Sequence, residues 1–264
     1  MSRSFLLAQI SDLHLGEPPK DGAEPEECLR AVVAALGELP NPLDAILVSG
    51  DLAEHGTREQ YRLAAEEIGR LGVPFHVLPG NHDDRATMRA AFAIPGSGDA
   101  PIDYAVDFGP LRLVVVDSTI PDEDRGNFEP GQLEWLEAEL AAAPTQPTIV
   151  AMHHPPLATG IADWDGVNLP IGERRALAEA IARHPQVKAI AGGHLHRVAT
   201  SSLAGRPVLA APSTFVQARP DFVAETVDLY GGAPGFALHA WQDGELSTQV
   251  EILVQTIGRR AQDG

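Results

Sequence analysis

Six of the ten histidines in this 264-residue chain fall in four short clusters, and acidic or amide side chains stand beside them. The side chains of metal-ligand type in and next to these clusters are Asp12, His14, Asp51, Asn81, His153, His154, His194 and His196. Carboxylate, amide and imidazole ligands without a thiolate suit manganese, iron or zinc better than calcium. The pattern therefore indicates a metal centre.

Two clusters have the same spacing: in Asp12-x-His14 and in His194-x-His196, one residue separates two possible metal ligands. Residues two apart on an extended backbone point to the same side, so we expect each pair to address one centre. Glycines beside the clusters let the chain turn sharply and approach an ion closely. These glycines are Gly50, Gly80, Gly192 and Gly193.

Each cluster directly follows a short apolar run that is typical of a β-strand. The first half of the chain predicts strands over Phe5–Ile10, Ala45–Ser49 and Phe75–Leu78, with helices over 28–39 and 57–71. The other predicted elements are a hairpin of Tyr104–Asp107 with 111–117, helices Gln132–Ala142 and 174–183, and strands 148–152, 187–191, Arg206–Ala210, 237–241 and 249–254. Because ligands of open α/β sheets bind outside the carboxyl ends of the strands, we expect the clusters to meet in one crevice.

Alternating strands and helices predict an α/β fold, and their division into two successive halves predicts two sheets. We expect a single domain over residues 1–264. Within it, residues 1–200 form a core with the metal motifs, residues 201–256 form a β-rich part that completes the sheet, and residues 257–264 form a frayed tail.

The charge balance limits the partners, because 37 acidic side chains against 19 basic ones give a formal net charge of −18. Such a chain repels nucleic acid polymers and anionic membranes. No apolar run approaches the roughly 18 residues of a membrane-spanning helix, and no signal-peptide pattern begins the sequence. We therefore expect a cytoplasmic protein without a nucleic acid or membrane partner; a single cysteine, Cys28, excludes an intramolecular disulfide.

Five blocks in a fixed order resemble the calcineurin-like metallophosphoesterases: DxH from Asp12, GD ending at Asp51, GNHD over 80–83, a histidine before proline, and GHxH ending at His196. The resemblance implies a four-layer α/β/β/α sandwich and two metal ions, with manganese or iron favoured and zinc as an alternative. GNHDDR, MHHPP and GHLH look most like the class III cyclic-nucleotide phosphodiesterases and related glycerophosphodiesterases.

The resemblance also implies a ligand set, in which Asp51 is shared by both ions and a hydroxide bridges them on the other side. One ion would take Asp12, His14, Asp51 and His196, and the other would take Asp51, Asn81, His153 and His194. His153 is favoured over His154 because the family's ligand lies two residues before a proline. His154 would then support the site from behind the ligands.

The resemblance and the local sequence together suggest His82 and Asp83 as catalytic residues. A carboxylate beside an imidazole fixes its tautomer and raises its pKa, so we expect Asp83 to prepare His82 as a general acid. The predicted substrate contacts are Asn81, His82, His196, Arg85 and Arg197. Both arginines could equally be surface ion-pair partners.

The resemblance thus implies a dinuclear metal-dependent phosphodiesterase that uses the bridging hydroxide on a small phosphodiester, with a 3′,5′-cyclic nucleotide favoured. Alternatives are a glycerophosphodiesterase, a broad-specificity phosphoesterase and, from another class, a non-catalytic metal-binding module; a homodimer is one expected assembly. Glu54 stands where a purple acid phosphatase has its tyrosine ligand, and the GDxxDRG block of protein serine/threonine phosphatases is absent from the sequence.

Overall fold

Two β-sheets lie at the centre of the chain, and the computed structural model describes residues 3–254. The helices are α1 (Pro25–Gly37), α2 (Arg58–Gly69), α3 (Arg85–Phe92), α4 (Gln132–Ala142), α5 (Ala162–Val167) and α6 (Ile171–Ala182). The strands are β1 (Phe5–Ile10), β2 (Ala45–Ser49), β3 (Phe75–Leu78), β4 (Tyr104–Asp107), β5 (Arg112–Val115), β6 (Thr148–Ala151), β7 (Val187–Gly192), β8 (Ala199–Leu203), β9 (Arg206–Ala210), β10 (Val216–Asp221), β11 (Thr226–Gly231), β12 (Gly235–Gln242) and β13 (Glu245–Ile252).

The first sheet has the strand order β13-β12-β1-β2-β3, and the second has the order β4-β5-β6-β7-β9-β8. Strands β1, β2 and β3 run parallel in the first sheet, as do β5, β6, β7 and β9 in the second. The outer strands β12, β13, β4 and β8 pair antiparallel. Both sheets are therefore mixed, and each has a parallel centre.

Three large apolar clusters define four layers. One lies between the first sheet and α1 to α3, where Ile46 packs in the same cluster as Leu29. A second lies between the second sheet and α4 to α6. The third lies between the sheets and includes Leu47 and Ile149. Strand β2 is buried along its whole length because its two faces belong to different clusters. The predicted α/β sandwich is confirmed.

Most predicted elements are present, but sequence patterns missed α3, α5, β8 and the β10–β11 hairpin. Helix α3 begins just after Asp84, whose side chain accepts a hydrogen bond from Thr87 N at 2.7 Å. The apolar alternation of the hairpin is short, since it covers only four residues in each strand, and β10 contains Pro220. The expected frayed tail over 257–264 lies outside the described residues, and the domain subdivision stays a prediction. Over residues 3–254, no helix has the length and apolar character that a bilayer crossing requires.

Candidate metal centre and active site

The predicted ligands come together at the carboxyl ends of parallel strands from both sheets. From the first sheet, Asp12 and His14 follow β1, Asp51 follows β2, and Asn81 follows β3. From the second sheet, His153 follows β6, and His194 and His196 follow β7. The centre therefore lies where the two sheets meet.

Five of these ligands have a left-handed backbone. Their φ angles are Asp12 54°, His14 44°, Asp51 51°, His194 68° and His196 50°. Residues other than glycine rarely adopt this conformation, and it concentrates at functional sites. The extended backbone that we expected for the Asp12-x-His14 and His194-x-His196 pairs is therefore wrong, because each chain segment turns sharply as it leaves its strand.

Four ligands form a first group, in which single ligand atoms of Asp12, His14, Asp51 and His196 lie within 4.8 Å of one another. The Nε2 atoms of His14 and His196 are 3.1 Å apart. Nδ1 of His14 lies 2.7 Å from Glu54 Oε2, and Nδ1 of His196 lies 3.0 Å from the carbonyl of Val216. Since these acceptors hold the Nδ1 protons, the two Nε2 lone pairs face each other, which suits a cation between them.

Asp12 supplies a further sign that this group suits a cation. Its Oδ1 accepts a hydrogen bond from His194 N at 3.0 Å, whereas its buried Oδ2 has no hydrogen-bond partner. A buried carboxylate oxygen without a partner is costly in a folded protein. A metal ion would satisfy it.

The second group contains Asp51, Asn81, His153 and His194. Nε2 of His153 lies 3.2 Å from Asp51 Oδ2 and 3.1 Å from Asn81 Oδ1, while Nδ1 lies 2.9 Å from the carbonyl of Ser49. Nδ1 of His194 lies 3.2 Å from Asn81 Oδ1, and its buried Nε2 has no hydrogen-bond partner. Contacts of 3.1 to 3.2 Å thus link the donor atoms of all four residues.

The pKa values fit a site that exchanges protons for metal. Burial disfavours the charged form of His153, but the charge and hydrogen bond of Asp51 raise its pKa to about 9. Burial and the neighbouring His154 and His153 hold the pKa of His194 well below its usual range. A proton on His153 can thus occupy the place of an ion and leave when an ion binds.

His154 differs from its neighbour because the hydrogen-bond partners of both its ring nitrogens lie outside the predicted ligand set. Nδ1 lies 2.9 Å from Ser118 Oγ, and Nε2 lies 3.0 Å from the carbonyl of Asp124. Burial and the neighbouring His153 lower the pKa of His154 to about 3. The geometry favours His153 as the ligand and His154 as its support.

Two glycines permit the close packing around Asp51. A Cβ atom on Gly80 would lie 2.1 Å from Asp51 Oδ1, and one on Gly50 would lie 2.2 Å from His153 Nδ1. Gly50 also has a φ of +97°. Any side chain at either position would displace a predicted ligand.

The carboxylate beside His82 is Glu54, so the expectation that Asp83 orients this imidazole is wrong. Nδ1 of His82 lies 3.3 Å from Glu54 Oε1. The Asp83 carboxylate instead accepts hydrogen bonds from Leu52 N, Ala53 N and Gly80 N at 3.2, 3.1 and 2.9 Å. Three backbone donors direct Asp83 away from His82 and tie the loop after β2 to the loop after β3.

Glu54 therefore lies between two imidazoles, since it contacts His14 through one oxygen and His82 through the other. Burial works against its charged form, but the hydrogen bonds to His14 and His82 hold its pKa well below the usual range. Burial likewise works against protonated His82, but Glu54 and Asp51 raise the pKa of His82 to about 10. The signal for Glu54 was its place in the GDLAE segment, three residues after Asp51.

Protein groups engage both arginines that were predicted to contact substrate. Arg85 is buried, and its guanidinium lies 2.8 Å from Asp117 and 2.8 Å from Glu129. Arg197 is exposed and donates a hydrogen bond of 3.4 Å to the carbonyl of Ala218. The geometry favours a structural role for Arg85, whereas a substrate contact of Arg197 stays a prediction.

Two cavities meet at Asn81 and His82. The metal cavity, of about 260 Å³, is lined by Asp51, Asn81, His82, Asp124, Asp163, Trp164, Val167, His194, His196, Val227 and Leu229. The acidic cavity, of about 510 Å³, is lined by Glu54, His55, Gly56, Gly80, Asn81, His82, Asp83, Asp84, Arg85, Asp99, Thr119, Ile120, Pro121 and Asp122. His82 thus stands at the boundary between the predicted ligands and an open, polar space.

Comparisons with known proteins agree with this architecture. The family model for calcineurin-like phosphoesterase matches residues 5–198. The 3′,5′-cyclic adenosine monophosphate phosphodiesterase CpdA of Escherichia coli (strain K12) is 34% identical over 257 residues, which cover 95% of this chain and 90% of that protein. The glycerophosphodiester phosphodiesterase GpdQ of Enterobacter lignolyticus (strain SCF1) is 34% identical over 248 residues, which cover 91% and 88%.

Among solved structures, the purple acid phosphatase PPD1 from yellow lupin (Lupinus luteus) seeds is similar with a TM-score of 0.68 and 17% identity. The match covers 96% of this chain but spans only 52% of the phosphatase chain. At this level of identity the similarity concerns the fold alone.

Proposed function

Since the chain belongs to the calcineurin-like phosphoesterase family, we propose that it is a metal-dependent phosphodiesterase for a small phosphodiester, with a 3′,5′-cyclic nucleotide as its substrate. The observation that carries the proposal is the convergence of carboxylate, amide and imidazole donors on two adjoining positions. One relative acts on a cyclic nucleotide and another on glycerophosphodiesters, so a glycerophosphodiester is the second candidate substrate.

Two metal ions fit the residues that the site offers. The first half of the centre, Asp12, His14, Asp51 and His196, would hold one ion, and the second half, Asp51, Asn81, His153 and His194, would hold the other. In the first half, Asp12 Oδ2 is buried without a hydrogen-bond partner, and in the second half Nε2 of His153 and Nδ1 of His194 both face Asn81 Oδ1. Manganese or iron suits this oxygen and nitrogen donor set, and zinc is the alternative.

The charge of the site favours a diester over a monoester. Asp12 and Asp51 offset only part of the charge of two divalent ions, so the site attracts an anion although the chain is acidic. Arg85 is the only lysine or arginine among the described residues that line either cavity, and two carboxylates already pair with it. The second negative charge of a monoester would therefore find no free guanidinium there.

In the proposed reaction, His82 would act on the leaving group. Bound ions polarise phosphoryl oxygens and lower the pKa of water, which prepares it to attack phosphorus. Glu54 takes up Nδ1 of His82, so the proton that His82 can donate is the one on Nε2. The side chain is 33% exposed and lines both cavities, as a proton donor to a departing alkoxide requires. Metal bound by Asp51 would lower the pKa of His82 from its raised value towards neutrality.

The proposal can be tested by comparing substrates for the manganese-loaded protein. We expect the highest kcat/KM for 3′,5′-cyclic AMP or cyclic GMP, a lower value for glycerophosphoethanolamine, and the lowest for nitrophenyl phosphate. A preference for the glycerophosphodiester would transfer the assignment to the second candidate. Failure to hydrolyse any diester, with both ions bound by metal analysis, would identify a non-catalytic metal-binding module instead.

A further inference from the structure

The β10–β11 hairpin supplies an apolar wall to the metal cavity, and the side chains of this wall are not metal ligands. Residues two apart on a strand share a face, and Val227 and Leu229 of β11 both line the metal cavity. They stand with Asp51, His194 and His196 around the same space. Leu229 is 39% exposed, so this leucine offers apolar surface to the cavity and is not fully covered by the protein.

Helix α5 extends the apolar wall. Trp164 and Val167 line the same cavity, and Trp164 is anchored in the core between the second sheet and its helices. Val227 N donates to Asp163 Oδ2 at 2.9 Å, and Asp163 N donates to the carbonyl of Glu225 at 3.2 Å. Helix α5 and strand β11 are thereby joined at the edge of the cavity.

The hairpin is also tied to a predicted metal ligand. Ala218 N donates to the carbonyl of His196 at 2.9 Å, and Nδ1 of His196 lies 3.0 Å from the carbonyl of Val216. Strand β10 pairs with β11 in a register that sets Ala218 opposite Leu229. Hydrogen bonds therefore fix the distance between the apolar wall and the metal centre.

We propose that Trp164, Val167, Val227 and Leu229 form the binding site for the nucleobase of a cyclic nucleotide, which makes the β10–β11 hairpin the element that selects this substrate. The inference rests on the proposed phosphodiesterase function and specifies its substrate class. A phosphate beside Asp51, His194 and His196 would share a cavity with this wall, so the rest of a small substrate could contact it. A flat base gains from apolar contact on its faces, whereas a glycerol group, which carries hydroxyls, gains much less.

Polar groups in the same cavity suit the edge of a base. Asp124 and Asp163 line the cavity beside the apolar wall, and their carboxylates can accept hydrogen bonds from amino groups. A few polar groups within an apolar lining are typical of small-molecule sites. The arrangement fits a purine with an exocyclic amine.

The test compares Leu229→Ser with wild type on two substrates. We expect the ratio of kcat/KM for cyclic AMP to kcat/KM for glycerophosphoethanolamine to fall about 10-fold, mainly through a higher KM for cyclic AMP. Leu229→Met should restore most of the ratio. Phe222→Ser is the matched control, because Phe222 lies near the tip of the same hairpin, is 68% exposed and lies outside both cavities. An unchanged ratio in Leu229→Ser, with wild-type metal content and circular dichroism, would overturn the proposal.

A binding measurement keeps this test separate from the proposed function. Adenosine lacks the phosphate, so its binding reports the base site whether or not cyclic nucleotides are hydrolysed. We expect adenosine to quench the tryptophan fluorescence of the manganese-loaded protein and to quench it much less in Trp164→Phe. Absence of quenching in the wild type, or equal quenching in Trp164→Phe, would contradict the base site even if phosphodiesterase activity is found.

Discussion

The two halves of the proposed metal centre would share Asp51 and would differ in the charge of their other ligands. The first half adds the Asp12 carboxylate to two imidazoles, whereas the second half adds the neutral amide of Asn81 to two imidazoles. The Nδ1 atoms differ as well: the Glu54 carboxylate contacts Nδ1 of His14, whereas the neutral carbonyl of Ser49 contacts Nδ1 of His153. The first half should therefore bind its ion more tightly, and the second half should leave more positive charge for an anionic substrate.

The largest effect is expected from the loss of Asp51, the ligand that the two halves would share. In Asp51→Ala, both ions should be lost and diester hydrolysis should fall to background, because the variant lacks the common ligand. Metal analysis after gel filtration measures this directly. Retention of two ions per chain would show that the halves do not share Asp51.

A change confined to the second half should remove one ion. His153→Ala should retain the ion of the first half, lose the other and have almost no activity. His154→Ala is the matched neighbour: it should keep both ions and lose about 10- to 100-fold in activity, as is common for groups that support a ligand. If the two variants show the opposite ranking in metal content, His154 is the ligand.

A third change leaves both halves intact and tests the chemistry beside them. His82→Ala should reduce hydrolysis of 3′,5′-cyclic AMP by about 10²- to 10⁴-fold, the usual worth of a general acid. Bis(nitrophenyl) phosphate should be affected much less, because nitrophenolate leaves without a proton. Equal losses on both substrates, with both ions bound, would mean that His82 stabilises the phosphoryl oxygens and does not act as the acid.

The smallest effect is expected from a change at Glu54, which reduces the difference in charge between the two halves. Glu54→Gln keeps the shape of the side chain and removes its charge, so the first half should bind metal about 10- to 100-fold more weakly. The pKa of His82 should fall as well, because Glu54 raises it. Since an acid works only while protonated, the alkaline limb of the kcat profile should move to lower pH. Glu59 is exposed, so Glu59→Gln serves as the control. If the alkaline limb does not move in Glu54→Gln, Glu54 does not set the pKa of His82.

The ligand positions could be anticipated from sequence because each one follows a buried strand, and apolar runs such as Ala45–Ser49 are visible without a structure. Two features could not be anticipated. The choice between Glu54 and Asp83 depends on where three backbone N–H groups point, which only the folded loops determine. The apolar wall depends on β11, where the alternation of polar and apolar residues from Thr226 to Leu229 is too short to identify a strand.

Each half of the proposed metal centre would draw ligands from both sheets, and His14 and His196 are 182 positions apart in the chain. An ion held by both is therefore a cross-link between the two layers of the sandwich, in addition to any role in hydrolysis. Because the unfolded chain does not assemble these donors, metal binding adds to the free energy of unfolding. The left-handed ligand segments have strain to release once the ion is gone. A chelator should thus lower the melting temperature and loosen the contact between the sheets, so that the protein's cohesion depends on the supply of metal.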